Sequence, residues 1–142
     1  MTANRFNFRA YIKPYNKIYK VHSIEMSGNF LAIECFQEDG ETLLKRNDNE
    51  TNLFLFKQGE FNLMQSTGLV DKNGKEIFEG DILTDGSIKY LVRFEEEKAC
   101  FIMKPILCGK TLLKDYEKLD RRYMHYYEII GNIYENPELL KS

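Results

Sequence analysis

Apolar and polar residues alternate in short runs, and turn signals interrupt them every few residues. This pattern excludes most of the folds open to a chain of 142 residues. Phe6, Phe8 and Ala10 alternate with Arg5, Asn7 and Arg9, the period-2 signature of a half-buried strand. Pro14-Tyr15-Asn16-Lys17 reads as a turn, because Pro presets φ and Asn tolerates left-handed geometry. The run from Lys17 to His22 then resumes an extended pattern, so the two runs predict an N-terminal hairpin. Ser27-Gly28-Asn29 and Glu38-Asp39-Gly40-Glu41 are further turns, bounding strand-like runs from Phe30 to Phe36 and from Thr42 to Lys45. The most polar stretch, 47–52, marks a boundary. The expected organisation is therefore an N-terminal hairpin and meander region, 1–60, and a C-terminal β region, 61–142, which could also form one continuous domain.

Beyond the boundary the β pattern continues. Asp71-Lys72-Asn73-Gly74-Lys75 contains Asn-Gly, a strong hairpin signal because a tight hairpin turn needs positive φ at its centre. Gly80-Asp81 and Asp85-Gly86-Ser87 punctuate the next segment, and Asp81 is placed to accept backbone amides that fix its turn. Glu95-Glu96-Glu97 reads as a solvated turn. One segment differs: Leu112, Leu113, Tyr116, Leu119 and Tyr123 fall at three- and four-residue spacing behind Thr111, predicting a short helix over 111–123. The fold class expected is mainly β, with short antiparallel strands and this one helix.

Several function classes are excluded by what is missing. No run approaches the roughly 18 apolar residues of a membrane span, and the N-terminus lacks the apolar core of a signal peptide. A soluble, cytoplasmic protein is expected. Three cysteines without a CxxC pair point to reduced thiols, with Cys35 and Cys100 as packing residues. Asp71-Lys72-Asn73-Gly74 fails as a calcium loop, since Glu76 and Ile82 stand where Gly and Glu are required. Cys108-Gly109-Lys110-Thr111 fails as a phosphate loop, since Lys104 replaces the first Gly and Pro105 removes a donor amide. His22 and His125 have no neighbouring ligand at metal spacing. No catalytic, cofactor or metal residue is predicted.

One asymmetry remains. Residues 1–24 hold Arg5, Arg9, Lys13, Lys17 and Lys20 and no acidic residue, whereas the other 118 carry 15 basic against 22 acidic residues. The net charge of −2 thus hides a division. Phe6, Phe8, Tyr11, Tyr15 and Tyr19 interleave with the cations, and cations that track a backbone beside aromatics that stack bases suit single-stranded nucleic acid. Arg5, Arg9, Tyr11, Lys13, Tyr15 and Lys17 are the candidate contacts. The simpler reading is a hairpin with one apolar and one charged face.

Three blocks together resemble the YopX-like family of phage and prophage proteins. The first is Phe8-Arg9-Ala10 with Lys17-Ile18-Tyr19-Lys20-Val21 after the turn. The second runs from Leu63 to Ile82 through Gly68-Leu69-Val70-Asp71-Lys72-Asn73-Gly74 and Phe78-Glu79-Gly80-Asp81. The third is Glu128-Ile129-Ile130-Gly131-Asn132-Ile133-Tyr134 with Asn136-Pro137-Glu138-Leu139-Leu140. Tyr11 stands where the family typically has Trp, and Ser66 where it has Tyr or Phe. The resemblance implies a mainly β fold with an SH3-like barrel in its C-terminal part, and a mobile-element origin. It carries no recognised catalytic residue. The function expected is a non-enzymatic accessory binding module, its partner protein or nucleic acid, with exposed strand edges favouring a homo-oligomer.

Overall fold

The computed structural model describes residues 6–46, 54–106 and 116–141. They are mainly antiparallel β and fall into two compact units, residues 7–64 and residues 65–142 together with 1–6.

In the first unit the strands are β1 (Phe8–Ile12), β2 (Lys17–Ser27), β3 (Phe30–Cys35), β4 (Leu55–Lys57) and the start of β5 (Phe61–Val70), hydrogen-bonded in the order β4-β3-β2-β1-β5. The predicted hairpin is β1–β2, with Ala10 opposite Tyr19 and Ile12 opposite Lys17. Its connection is a 3₁₀ turn, Lys13–Tyr15, closed by Asn16 at φ 53°. Asn is among the few residues that enter that region at low cost. The second turn joins β2 to β3. In the third, the Asp39 carboxylate accepts the amides of Glu41 and Thr42, both at 2.9 Å. The strand expected over 42–45 shrinks to a single bridge between Phe36 and Leu43.

Alternation decides which side chains enter this unit's core. Ala10, Ile12, Ile33, Cys35, Phe56 and Phe61 are buried together, and Tyr15, Tyr19 and Leu44 pack against them. Burial pushes the Cys35 thiol up to about 12, so this cysteine is a packing residue and not a reactive thiolate. Arg46 is also buried. It forks onto Glu60 through two hydrogen bonds of 2.9 and 2.8 Å and donates to the Leu55 carbonyl, which compensates much of its desolvation.

The second unit contains the end of β5, β6 (Glu76–Phe78), β7 (Asp81–Thr84), β8 (Lys89–Glu95), β9 (Cys100–Ile106), β10 (Glu117–Lys118) and β11 (Glu128–Asn132). β5 pairs with β6, and the other five follow the order β10-β9-β8-β7-β11. Ile77, Leu83, Tyr90, Val92, Met103 and Met124 form the core. The Asn-Gly turn appears between β5 and β6, with Gly74 at φ 80°. Asp81 is fully buried and accepts the Phe78 amide at 2.8 Å, as its position predicts. Glu96–Lys98 is the expected exposed turn.

One expectation is not met and another is corrected. Among the described residues the sheet ends on β10 and β11 and does not close, since β10 pairs only with β9 and β11 only with β7, so they do not show the closed SH3-like barrel expected there. The helix expected over 111–123 lies partly outside the described residues, and its remainder is not α-helical. Glu117 and Lys118 pair with Met103 and Ile102, and the Leu119 amide reaches the Phe101 carbonyl at 3.4 Å, so the edge of the sheet captures this backbone. A 3₁₀ segment, Arg121–Tyr126, follows, with the Asp120 carboxylate accepting the Arg122 amide. Among the described residues no helix is long and apolar enough to cross a membrane.

Candidate functional site

The basic, aromatic N-terminal strip is divided by the pleat that makes the hairpin. Arg5 lies outside the described residues. Arg9 and Tyr11 project from one face of β1, with Lys20 and Ile18 opposite them on β2. The Tyr11 hydroxyl donates to Asn16, fixing its ring over the turn. Lys13 is exposed in the 3₁₀ turn. Tyr15 goes to the core side: its ring meets Phe56 edge-on at 5.9 Å and its hydroxyl donates to the Lys45 carbonyl at 2.7 Å. Lys17 lies on the face of Ala10 and Ile12, its ammonium 5.9 Å from the Tyr19 centroid and paired with Glu38. The structure therefore brings together Arg9, Tyr11 and the adjacent Lys20, and separates them from Tyr15 and Lys17.

A second site lies wholly in the 65–142 unit and was not read from the sequence. An open groove of about 560 Å³ is bounded by Asp85, Met103, Glu117, Tyr123, Tyr126 and Tyr127. A second open hollow of about 430 Å³ shares Glu117, Lys118 and Tyr123 with it and is also lined by Tyr116 and Asp120. Three separate segments build the groove. The β7–β8 turn presents Asp85, whose carboxylate holds that turn through the Ser87 and Ile88 amides. The β9–β10 ladder places Glu117 opposite Met103. The 3₁₀ segment presents Tyr123 and Tyr126, which are 51% and 60% exposed, far more than tyrosines that serve only as core.

The groove's electrostatics follow from these neighbours. Burial raises the Tyr90 phenol to about 12, with Asp85, Tyr127 and Glu117 adding to the effect. Burial, then Asp85 and Glu117, also raise Tyr127. Both phenols stay protonated at neutral pH, which disqualifies them as bases and leaves them as amphipathic contact surface. The Asp120 carboxylate is engaged by Arg122 at 2.7 Å, and Lys118 lines the groove together with Asp85 and Glu117, so charges of both signs face it. Four tyrosines between positions 116 and 127 were the available sequence signal, but the helical spacing of Tyr116 and Tyr123 read as packing.

Among the described residues no group of three or more His, Cys, Asp or Glu could hold a metal ion. The segment 108–111, rejected as a phosphate loop, lies outside the described residues.

The chain matches the family described as YopX protein over residues 7–141. Among solved structures it is similar to the crystal structure of protein EF1440 from Enterococcus faecalis, with 26% identity and a TM-score of 0.63 over 95% of this chain and 97% of that one. Comparison with curated proteins finds no match. The family match spans all three sequence blocks, the N-terminal hairpin, the Asn-Gly turn and the closing β11 segment; the chain belongs to the YopX family.

Proposed function

We propose that this protein works by binding rather than by catalysis, as a phage or prophage accessory module in the cytoplasm of a bacterial host, and that the tyrosine-lined groove is its working surface. The observation supporting this most is the exposure of Tyr123 and Tyr126 beside two carboxylates in an open groove. Tyrosine supplies rigid contact area at low entropic cost and is enriched where proteins meet. The test places a photo-crosslinking residue at position 126 and irradiates host cells. A discrete crosslinked species is expected at 126 and not at position 97 on the exposed β8–β9 turn. Equal labelling at both positions would defeat the reading. A species of twice the chain mass would identify a second copy as the occupant.

A second reading rests on a different observation: Arg9, Tyr11 and Lys20 share one face of the hairpin. That face would stack and neutralise single-stranded nucleic acid. Oligonucleotide binding by fluorescence anisotropy would then weaken steeply with salt and vanish when Arg5, Arg9 and Lys13 are changed to Glu. No binding at low salt would dispose of it.

A further inference from the structure

The Asn-Gly pair that shapes the β5–β6 turn also brings two groups together that can react. Asn73-Gly74 is the single Asn-Gly pair of the chain, and both residues are exposed. In such a pair the glycine amide nitrogen can attack the side-chain carbonyl carbon of the asparagine, because no Cβ on the glycine obstructs the approach. Nothing else crowds Gly74 either: even a Cβ built on it would meet no atom within 4 Å.

In the closed turn, hydrogen bonds hold the reacting groups back. The Gly74 N–H donates to the Asp71 carbonyl at 3.0 Å, and the Asn73 side-chain amide donates to Glu128 on β11 at 3.3 Å. The Asp71 carboxylate holds the main chain on either side of Gly74, accepting the amides of Asn73 and Lys75 at 2.9 Å each. Its other oxygen takes the Ile129 amide at 3.0 Å and pins the turn to β11. Attack requires the Gly74 nitrogen to give up its proton and the Asn73 carboxamide to leave Glu128. Both steps wait on opening of the turn, so the observed rate is the open-state rate multiplied by the open fraction.

We propose that Asn73 is a self-modification site, converted to aspartate and isoaspartate by cyclisation on Gly74, with the Asp71 clamp as its gate. The Gly74 amide loses its proton to solvent, and its nitrogen forms a bond to Asn73 Cγ. The bond from Cγ to the side-chain nitrogen breaks, and that nitrogen takes a proton from water and leaves as ammonia. Water then opens the succinimide ring at one of its two carbonyls, giving aspartate or isoaspartate. The product alters the fold's balance. A carboxylate at position 73 cannot donate to Glu128 and repels it, with Asp71 close by. The Lys72 ammonium, 3.6 Å from Glu128 in an exposed pair, offsets only part of that repulsion. Isoaspartate also lengthens the main chain by one methylene, which moves the Lys75 amide off Asp71. The modification therefore loosens the turn from β11 irreversibly.

The test incubates the full chain at mildly alkaline pH, follows conversion by peptide mass spectrometry, and measures amide hydrogen exchange in parallel. Conversion is expected at residue 73 ahead of every other asparagine, and about tenfold or more slower than in a synthetic peptide spanning residues 70–77. Asp71→Ala should accelerate it about tenfold or more, with exchange at the Gly74 amide rising by the same factor. Asp71→Asn, which keeps the acceptor in the turn, should accelerate it less. Val92→Ala creates a cavity in the same unit's core without touching the turn, and should leave both rates within about twofold. Asn73→Asp should speed exchange at Ile129 several-fold, and adding Glu128→Gln should recover most of that change. The proposal is overturned if residue 73 converts no faster than the other asparagines, or if folded protein and peptide convert alike. Equal acceleration by Val92→Ala and Asp71→Ala would overturn the gate, and unchanged Ile129 exchange in Asn73→Asp would overturn the structural consequence.

Discussion

Asp71 should be the most consequential polar residue of the 65–142 unit, and its replacement tests the packing account quantitatively. Its carboxylate is buried and accepts three backbone amides. One oxygen takes Asn73 and Lys75, each at 2.9 Å, and the other takes Ile129 at 3.0 Å, 58 residues away. The first two bonds shape the Asn-Gly turn, and the third ties that turn to β11. Hydrogen bonds to a charged acceptor contribute about 1.5–3 kcal/mol each, and less where water can take over. Asn73 and Lys75 are exposed, so water recovers most of what they lose; the half-buried Ile129 amide has no such recourse. Asp71→Ala should therefore cost about 3 kcal/mol. Asp71→Asn keeps one acceptor but turns an NH₂ group toward the Ile129 N–H, and should cost about 2 kcal/mol. In a domain of this size each kcal/mol corresponds to about 4 °C of melting temperature. Urea unfolding measures the cost, and hydrogen exchange locates it: the amides of Ile129 and Asn73 should lose protection first. A loss below about 0.5 kcal/mol for both variants would refute the reasoning, as would destabilisation that leaves Ile129 protected.

Other consequences are more local. A Cβ on Gly131 would stand 2.6 Å from Asn136 Oδ1 and 2.8 Å from Leu139 Cδ1, so Gly131→Ala should cost about 2 kcal/mol by chemical denaturation. Ala99 occupies the left-handed region at φ 51°, so Ala99→Gly should raise stability by about 0.5–1 kcal/mol in the same assay. The Tyr90 phenol is held at about 12 against an ordinary 10, so its folded state favours the neutral form. That contribution is complete below pH 10 and lost as pH rises through 12. Wild type should lose on the order of 2 kcal/mol across that window, and Tyr90→Phe measurably less, in melts followed by circular dichroism.

What could be read from the sequence was local. Asn16 and the Asn73-Gly74 pair announce their turns because left-handed backbone restricts residue choice, and Asp81 announces its role because the amide that donates to it lies three residues away. The alternation of Phe6, Phe8 and Ala10 identified a core face at Ala10, which is fully buried, but Phe6 at the end of the run is 70% exposed. The contacts that escaped are long-range. Nothing near Asp71 reveals that Ile129 is its third donor. The groove combines residue 85, residue 103 and residues 117–127, so its character emerges only when the sheet brings them together. The three- and four-residue spacing of Leu119 and Tyr123 fits a helix in isolation, but an open sheet edge offers Glu117 and Lys118 hydrogen bonds that outweigh helical preference. The charge strip divides between two faces for the opposite reason. Its composition is real, but a period of two distributes Arg9 and Lys17 to different faces.

Quantitative co-purification from the bacterial host distinguishes the two candidate surfaces most directly. Wild type would be compared with the groove variant Asp85→Asn, Glu117→Gln and with the hairpin variant Arg9→Glu, Lys20→Glu. A polypeptide partner kept by wild type and the hairpin variant, and depleted about tenfold or more by the groove variant, is the result predicted. Retention by the groove variant with loss from the hairpin variant, and especially recovery of nucleic acid in place of protein, would contradict it.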